Sequence, residues 1–150
     1  MENPNYTSSI KTNLDLATCF QRTNQVQNRW TENLEGKTSD LGAEFSVRFA
    51  DVHYSKQRIV EFVPNSKVVW LVINSNLNWL QKKEEWTGTK VCFEFSAKDK
   101  HSIINITHIG LSPEVECYEN CIKGWDYFIG QSLKKLLTEG KGAPDKKLIG

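Results

Sequence analysis

Residues 111–142, LSPEVECYENCIKGWDYFIGQSLKKLLTEGKG, constrain the fold more than any other stretch. Tyr118, Ile122, Trp125, Ile129, Leu133 and Leu136 recur at spacings of three and four, so a helix here carries one continuous apolar stripe. Such a stripe requires a partner surface. Ser112 is placed to cap the start, Pro113 suits the first helical position, and Glu114 and Glu116 suit the positive end of the helix dipole. Val115 stands where a full capping box would carry Glu or Gln. Lys134 and Lys135 suit the negative end, and Gly140, Gly142 and Pro144 supply the stop. The pattern predicts about 27 helical residues, or roughly 40 Å. Gly124 and Gly130 oppose it, each costing about 1 kcal/mol against alanine. Tight packing on a sheet explains them, and the competing reading is close approach of the backbone to a ligand or strand beside Trp125. Glu119 and Lys123 form an i, i+4 pair that marks the outer face.

The chain before this helix is mostly strand. Residues 6–11 alternate as a strand would; Asn13 or Asp15 then opens a short helix with Leu16 and Phe20, and Thr23 or Asn24 a second one running toward Trp30. Residues 31–38 end in a turn, after which Ala43, Phe45, Val47 and Phe49 alternate with polar neighbours. Further strands are predicted over 52–63, ending at Pro64, then over 68–73, 84–97 and 102–108, with turns at 65–67 and 99–100. Hairpin spacing implies an α+β protein in which a curved antiparallel sheet wraps around the C-terminal helix, with two short helices near the N-terminus. The space between sheet and helix is then the default ligand site.

The 150 residues suit a single domain, 1–150, with 143–150 as a flexible tail. Nineteen Lys and Arg against 18 Asp and Glu leave a net charge of +1, which provides no field for nucleic acid or anionic membrane. No apolar run approaches the roughly 18 residues of a membrane span, and MENPNYTSS lacks the features of a signal peptide. The expectation is a soluble, cytoplasmic protein with Cys19, Cys92, Cys117 and Cys121 reduced. In that setting the triplets at Asn5 and Asn105 are chance matches to a glycosylation site.

Signals for chemistry are sparse. Cys117 and Cys121 lie one helical turn apart with His108 just before the helix, but a lone C-x-x-x-C falls short of a zinc pattern, and packing explains the thiols. His108 is a candidate acid or base, since an unperturbed imidazole suits proton transfer near neutrality, and a structural hydrogen bond explains it equally well; His53 and His101 are expected in loops or turns and take no role. Glu61, Glu85 and Glu94 are strand carboxylates that a solvated face accommodates. There is no phosphate loop and no nucleophile elbow, and neither metal nor cofactor is expected. The aromatics say more. Phe45, Phe49, Trp70, Phe93 and Phe95 from the strands, with Tyr118, Ile122 and Trp125 from the helix, are the candidate lining of a hydrophobic pocket, ordinary core being the competing reading.

Several motifs together resemble a known superfamily: VEFVP at 60–64, Val69-Trp70, EWTGTKV at 85–91, THIGL at 107–111, and Gly124-Trp125 through Ser132-Leu133. They are similar to the START-like (SRPBCC) superfamily, in the branch named after the heat-shock-chaperone ATPase activator and also labelled polyketide cyclase-like. The resemblance covers nearly the whole chain and implies the helix-grip fold. It also implies that a His often stands before the Gly at the position of His108. Members bind lipids, hormones or polyketides, or assist chaperones. The expected function is binding of a hydrophobic small molecule or lipid. The alternatives are a cyclase- or hydrolase-like enzyme using His108 or a cavity carboxylate, and a chaperone-associated cofactor.

Overall fold

The computed structural model describes residues 5–49, 53–113 and 115–143. Strand β1 (Tyr6–Thr12) leads to helix α1 (Leu16–Thr23) and one 3-10 turn (Val26–Asn28). Strands β2 (Leu34–Gly36), β3 (Glu44–Phe49), β4 (His53–Val63), β5 (Lys67–Leu77), β6 (Lys90–Lys98) and β7 (His101–Ile109) follow. They form one sheet in the order β1-β7-β6-β5-β4-β3-β2, and each neighbouring pair is antiparallel. The chain is thus α+β, a curved seven-stranded sheet with a long C-terminal helix across it. The second N-terminal helix reduces to the 3-10 turn, because Trp30 must turn inward to reach the core and is only 3% exposed.

Local chemistry accounts for the start. Asp15 caps α1 by accepting the Thr18 amide at 2.7 Å. Phe20 then packs edge-on against Phe62 and Phe95, both 5.2 Å away between ring centroids, which lays α1 on the sheet. Asp99 and Lys100 both take positive φ, as a two-residue hairpin between twisted strands requires. Register shifts at Lys56/Gln57 and Ile59/Glu61 place bulges in the β4–β5 pair, whose two strands are the longest in the sheet. Bulges bend a strand and increase its twist, which helps a flat ladder become a grip.

The C-terminal helix differs from the expectation in three ways. It begins at Tyr118 rather than Pro113, and Ser112 lies in the preceding turn instead of capping it. The cap comes from outside: the Glu85 carboxylate accepts the amides of Glu116 and Cys117 at 2.8 and 3.0 Å, while Glu116 accepts those of Gln81 and Lys82. The helix is also not uniform, since α2 (Tyr118–Tyr127) passes through a π segment (Phe128–Leu133) into α3 (Lys134–Glu139). Finally, an added Cβ at Gly124 or Gly130 would meet nothing within 4 Å, so close packing does not explain either glycine. The stop is as expected at Gly140, which takes φ of 79°. Glu114, Pro144, the tail from 144 and the strand start at Val52 lie outside the described residues.

The stripe does face the sheet: Trp125, Ile129, Leu133 and Leu136 are buried, Tyr118 and Ile122 are half-buried, and Glu119 and Lys123 are exposed. Arg22 donates to the carbonyls of Leu136 and Leu137 and so ties α1 to the end of α3. Among the described residues no helix is long and apolar enough to cross a membrane.

Candidate functional site

Four of the five tryptophans meet in one column under the helix. Trp30 from the turn after α1 stacks on Trp70 of β5 at 5.7 Å and on Trp125 of α2 at 5.2 Å. Trp125 in turn lies 6.0 Å from Trp86, which the loop after β5 brings inward. The rings are within 23° of parallel throughout, an offset stack that adds to their area burial.

Beside this column is a cavity of about 170 Å³. Trp30, Trp86 and Trp125 form one wall, Phe49, His53 and Leu77 the sheet side, and Asn120, Cys121, Gly124 and Phe128 the helix side. Trp79, 42% exposed, stands at its rim. A larger hollow of about 630 Å³ opens at the sheet edge near Lys11 and His101, but it has no aromatic wall apart from that imidazole. A dry cavity of about 150 Å³ holds a benzene-sized molecule, so the smaller, aromatic space is the better ligand site.

Two imidazoles border the Trp86 ring, both edge-on: His53 at 4.7 Å and His108 at 4.8 Å. The Trp125 indole N–H donates to His108 Nδ1 at 3.0 Å, which places the His108 proton on Nε2. That N–H donates to Thr89 Oγ1 at 2.9 Å, and the Thr89 hydroxyl donates to the Trp86 carbonyl at 2.6 Å. Both nitrogens are therefore occupied. Burial, with a smaller contribution from His53, lowers the His108 pKa to about 3. His108 thus holds Trp125 in place, with both ring nitrogens engaged. Burial likewise lowers His53 to about 4; its Nε2 lies 3.1 Å from Ser55 Oγ, which accepts from Gln57 Nε2 at 2.6 Å. His53 is thus part of the cavity wall and not a loop residue.

Of the residues expected around the ligand, Phe49 and Trp125 line this cavity. Phe45, Trp70, Phe93 and Phe95 are closed into the core, Phe45 and Phe93 directly against Trp70 at 5.0 and 4.7 Å. Tyr118 and Ile122 pack against the core from its edge. The carboxylates lie elsewhere: Glu85 caps the helix, Glu61 pairs with Lys67 at the surface, and Glu94 is exposed. Cys117 and Cys121 are joined in a disulfide, whereas free thiols were expected; their Cα atoms, one turn apart, are separated by 5.6 Å, within the usual span. Cys19 and Cys92 are free and buried. Trp30, Trp79 and Phe128 line the cavity but belong to no lining expected from the sequence, and Trp86 lies in the EWTGTKV motif without having been expected there; for the three tryptophans the signal was the count of five.

No protein-family description matches the chain, and no curated protein matches its sequence. Solved structures do match in fold. The Aha1 dimer from Colwellia psychrerythraea aligns with a TM-score of 0.74 and 21% identity over 93% of this chain and 99% of that one. DynU16, a putative protein in the dynemicin biosynthetic locus, gives 0.65 and 13% over 94% of this chain and 50% of that one. CalU16 from Micromonospora echinospora gives 0.55 and 13% over 89% and 76%. The chain therefore has the fold of these proteins, a helix gripped by an antiparallel sheet.

Proposed function

We propose that this chain is a binding protein whose ligand is a flat apolar molecule of one or two rings, held between the sheet and the C-terminal helix. The observation that carries this reading is the cavity of about 170 Å³, bordered by Trp30, Trp86 and Trp125 and kept open on the helix side by Gly124. Stacked aromatic walls favour planar partners, and His53 and His108, both held neutral, leave no charge at this end to repel an apolar ligand. Titration with ethylbenzene, followed by tryptophan fluorescence, tests it. A saturable change that Gly124→Leu abolishes, by placing a side chain in the cavity, is the expected result. No saturable change at millimolar ligand, or the same titration in the variant, would rule the reading out.

A chaperone as partner is the second reading, favoured by the likeness to Aha1 and by the exposed Trp79 at the rim. Purified heat-shock chaperone ATPase should then be retained by the immobilised chain and released by Trp79→Ala. Absence of retention removes this reading without touching the first.

A further inference from the structure

We propose that the Cys117–Cys121 disulfide is a thiol-exchange site, at which an aromatic thiol seated in the cavity is captured on Cys121 while Cys117 leaves. The inference rests on the cavity reading above and names a reactive group for its ligand.

The two sulfurs have unlike surroundings. Cys117 is fully buried, whereas Cys121 is half-buried and borders the cavity of about 170 Å³ together with Gly124 and Trp125. A thiol that enters past Trp79 at the rim therefore meets Cys121 first. Attack on one sulfur of a disulfide expels the other, so access decides which cysteine is captured. Cys117 is the sulfur equipped to leave. The Trp86 indole N–H donates to its Sγ at 3.4 Å, and this contact strengthens as negative charge grows there. Trp86 is itself fixed, since its ring stacks on Trp125 and its carbonyl accepts the Thr89 hydroxyl.

The step balances without an outside oxidant. The thiolate sulfur of the ligand bonds to Cys121 Sγ, the Cys117–Cys121 bond breaks, and its electron pair leaves with Cys117 Sγ, which takes up the proton that the ligand thiol gave up. The products are a mixed disulfide on Cys121 and a free Cys117 thiol. The backbone is held through the change: the Cys117 amide donates to Glu85 at 3.0 Å and the Cys121 amide to the Cys117 carbonyl at 2.8 Å, and neither bond involves sulfur. The other two thiols do not compete from inside. Cys19 and Cys92 are buried, neither borders the cavity, and burial raises the pKa of both.

Benzyl mercaptan and 2-mercaptoethanol, which have thiols of similar basicity and differ in the ring, test this on the air-oxidised chain, with oxidised glutathione as the reference disulfide. Samples are quenched in acid at intervals, alkylated, and cleaved after Glu119, which separates the two cysteines for mass spectrometry. The first adduct should fall on Cys121, with Cys117 alkylated. The ratio of the benzyl mercaptan rate to the mercaptoethanol rate should exceed that for glutathione disulfide by at least about tenfold, as burial of part of a phenyl ring implies. Saturating ethylbenzene should remove this excess, and so should Gly124→Leu; the competition serves should the variant fail to fold. A first adduct on Cys117, equal ratios, an excess that survives ethylbenzene, or a chain whose Cys117 and Cys121 stay reduced in air would overturn the site. Ethylbenzene binding involves no sulfur, so its titration shows separately whether the cavity stands.

Discussion

The two ends of the tryptophan column treat polar atoms in opposite ways. At the Trp86 end a hydrogen-bond chain runs from the Trp125 indole through His108 and Thr89 to the Trp86 carbonyl, and each donor along it has an acceptor. At the Trp70 end the indole N–H and two guanidinium nitrogens have no acceptor, although they are equally buried. A closed network fixes geometry and resists protonation, so it is a scaffold even though it contains the most reactive-looking residue in the chain. An unfinished one has a standing cost.

The largest effect should come from breaking the closed end. Trp125 is 2% exposed, stacks on two indoles and donates to His108, so Trp125→Ala should destabilise the chain by about 3 to 5 kcal/mol in denaturant melts. A melt like that of the native chain would mean that the column does not support the fold. Acid should break the same end more gradually. Unfolded imidazoles take up protons below about 6.5, whereas folded His53 and His108 resist until about 4 and about 3. Stability should accordingly be full above pH 6.5 and fall by a few kcal/mol as the pH drops toward 4. A denaturant midpoint unchanged between pH 7 and 5 would contradict the neutral, buried state of both rings. A smaller effect compares the ends directly. Trp125→Phe leaves His108 Nδ1 without a donor, while Trp70→Phe removes a donor that had no acceptor, so the first should cost about 1 to 3 kcal/mol more than the second. Equal losses would show that the Trp70 N–H is satisfied in solution.

How much of this was legible in the residues follows from how local each signal is. Alternation along Phe45, Val47 and Phe49, and the three-four spacing through Trp125, Ile129 and Leu133, each encode burial within one element, and they led to the sheet, the long helix and its inward face. The helix start was misplaced because its cap is not local: Glu85, 31 residues before Glu116, supplies the acceptor that Ser112 seemed to offer. The π segment could not be read from apolar spacing, since one wider turn leaves the stripe nearly in phase at Leu133 and Leu136. The cavity was harder still. Trp30, His53 and Trp86 come from a turn, a strand start and a loop, where no periodicity marks a side chain as inward. Alternation also cannot separate core from cavity wall, which is why Phe93 and Phe95 looked equivalent to Phe49 although they pack into the core.

Gly124 offers the smallest effect and the sharpest separation of stability from function. In the helix interior alanine is favoured over glycine by about 1 kcal/mol, and an added Cβ here would meet no atom within 4 Å. Gly124→Ala should therefore raise the melting midpoint, gaining up to about 1 kcal/mol. The same methyl group would occupy part of a cavity of about 170 Å³ that Gly124 borders, so it should weaken binding of ring compounds while the fold tightens. Parallel melts and ethylbenzene titrations of the two proteins measure both quantities. A variant that is more stable and binds less well would identify the glycine as a position kept small for the ligand. Greater stability with unchanged binding would move the ligand away from α2 and toward the sheet side of the cavity, at Phe49 and His53.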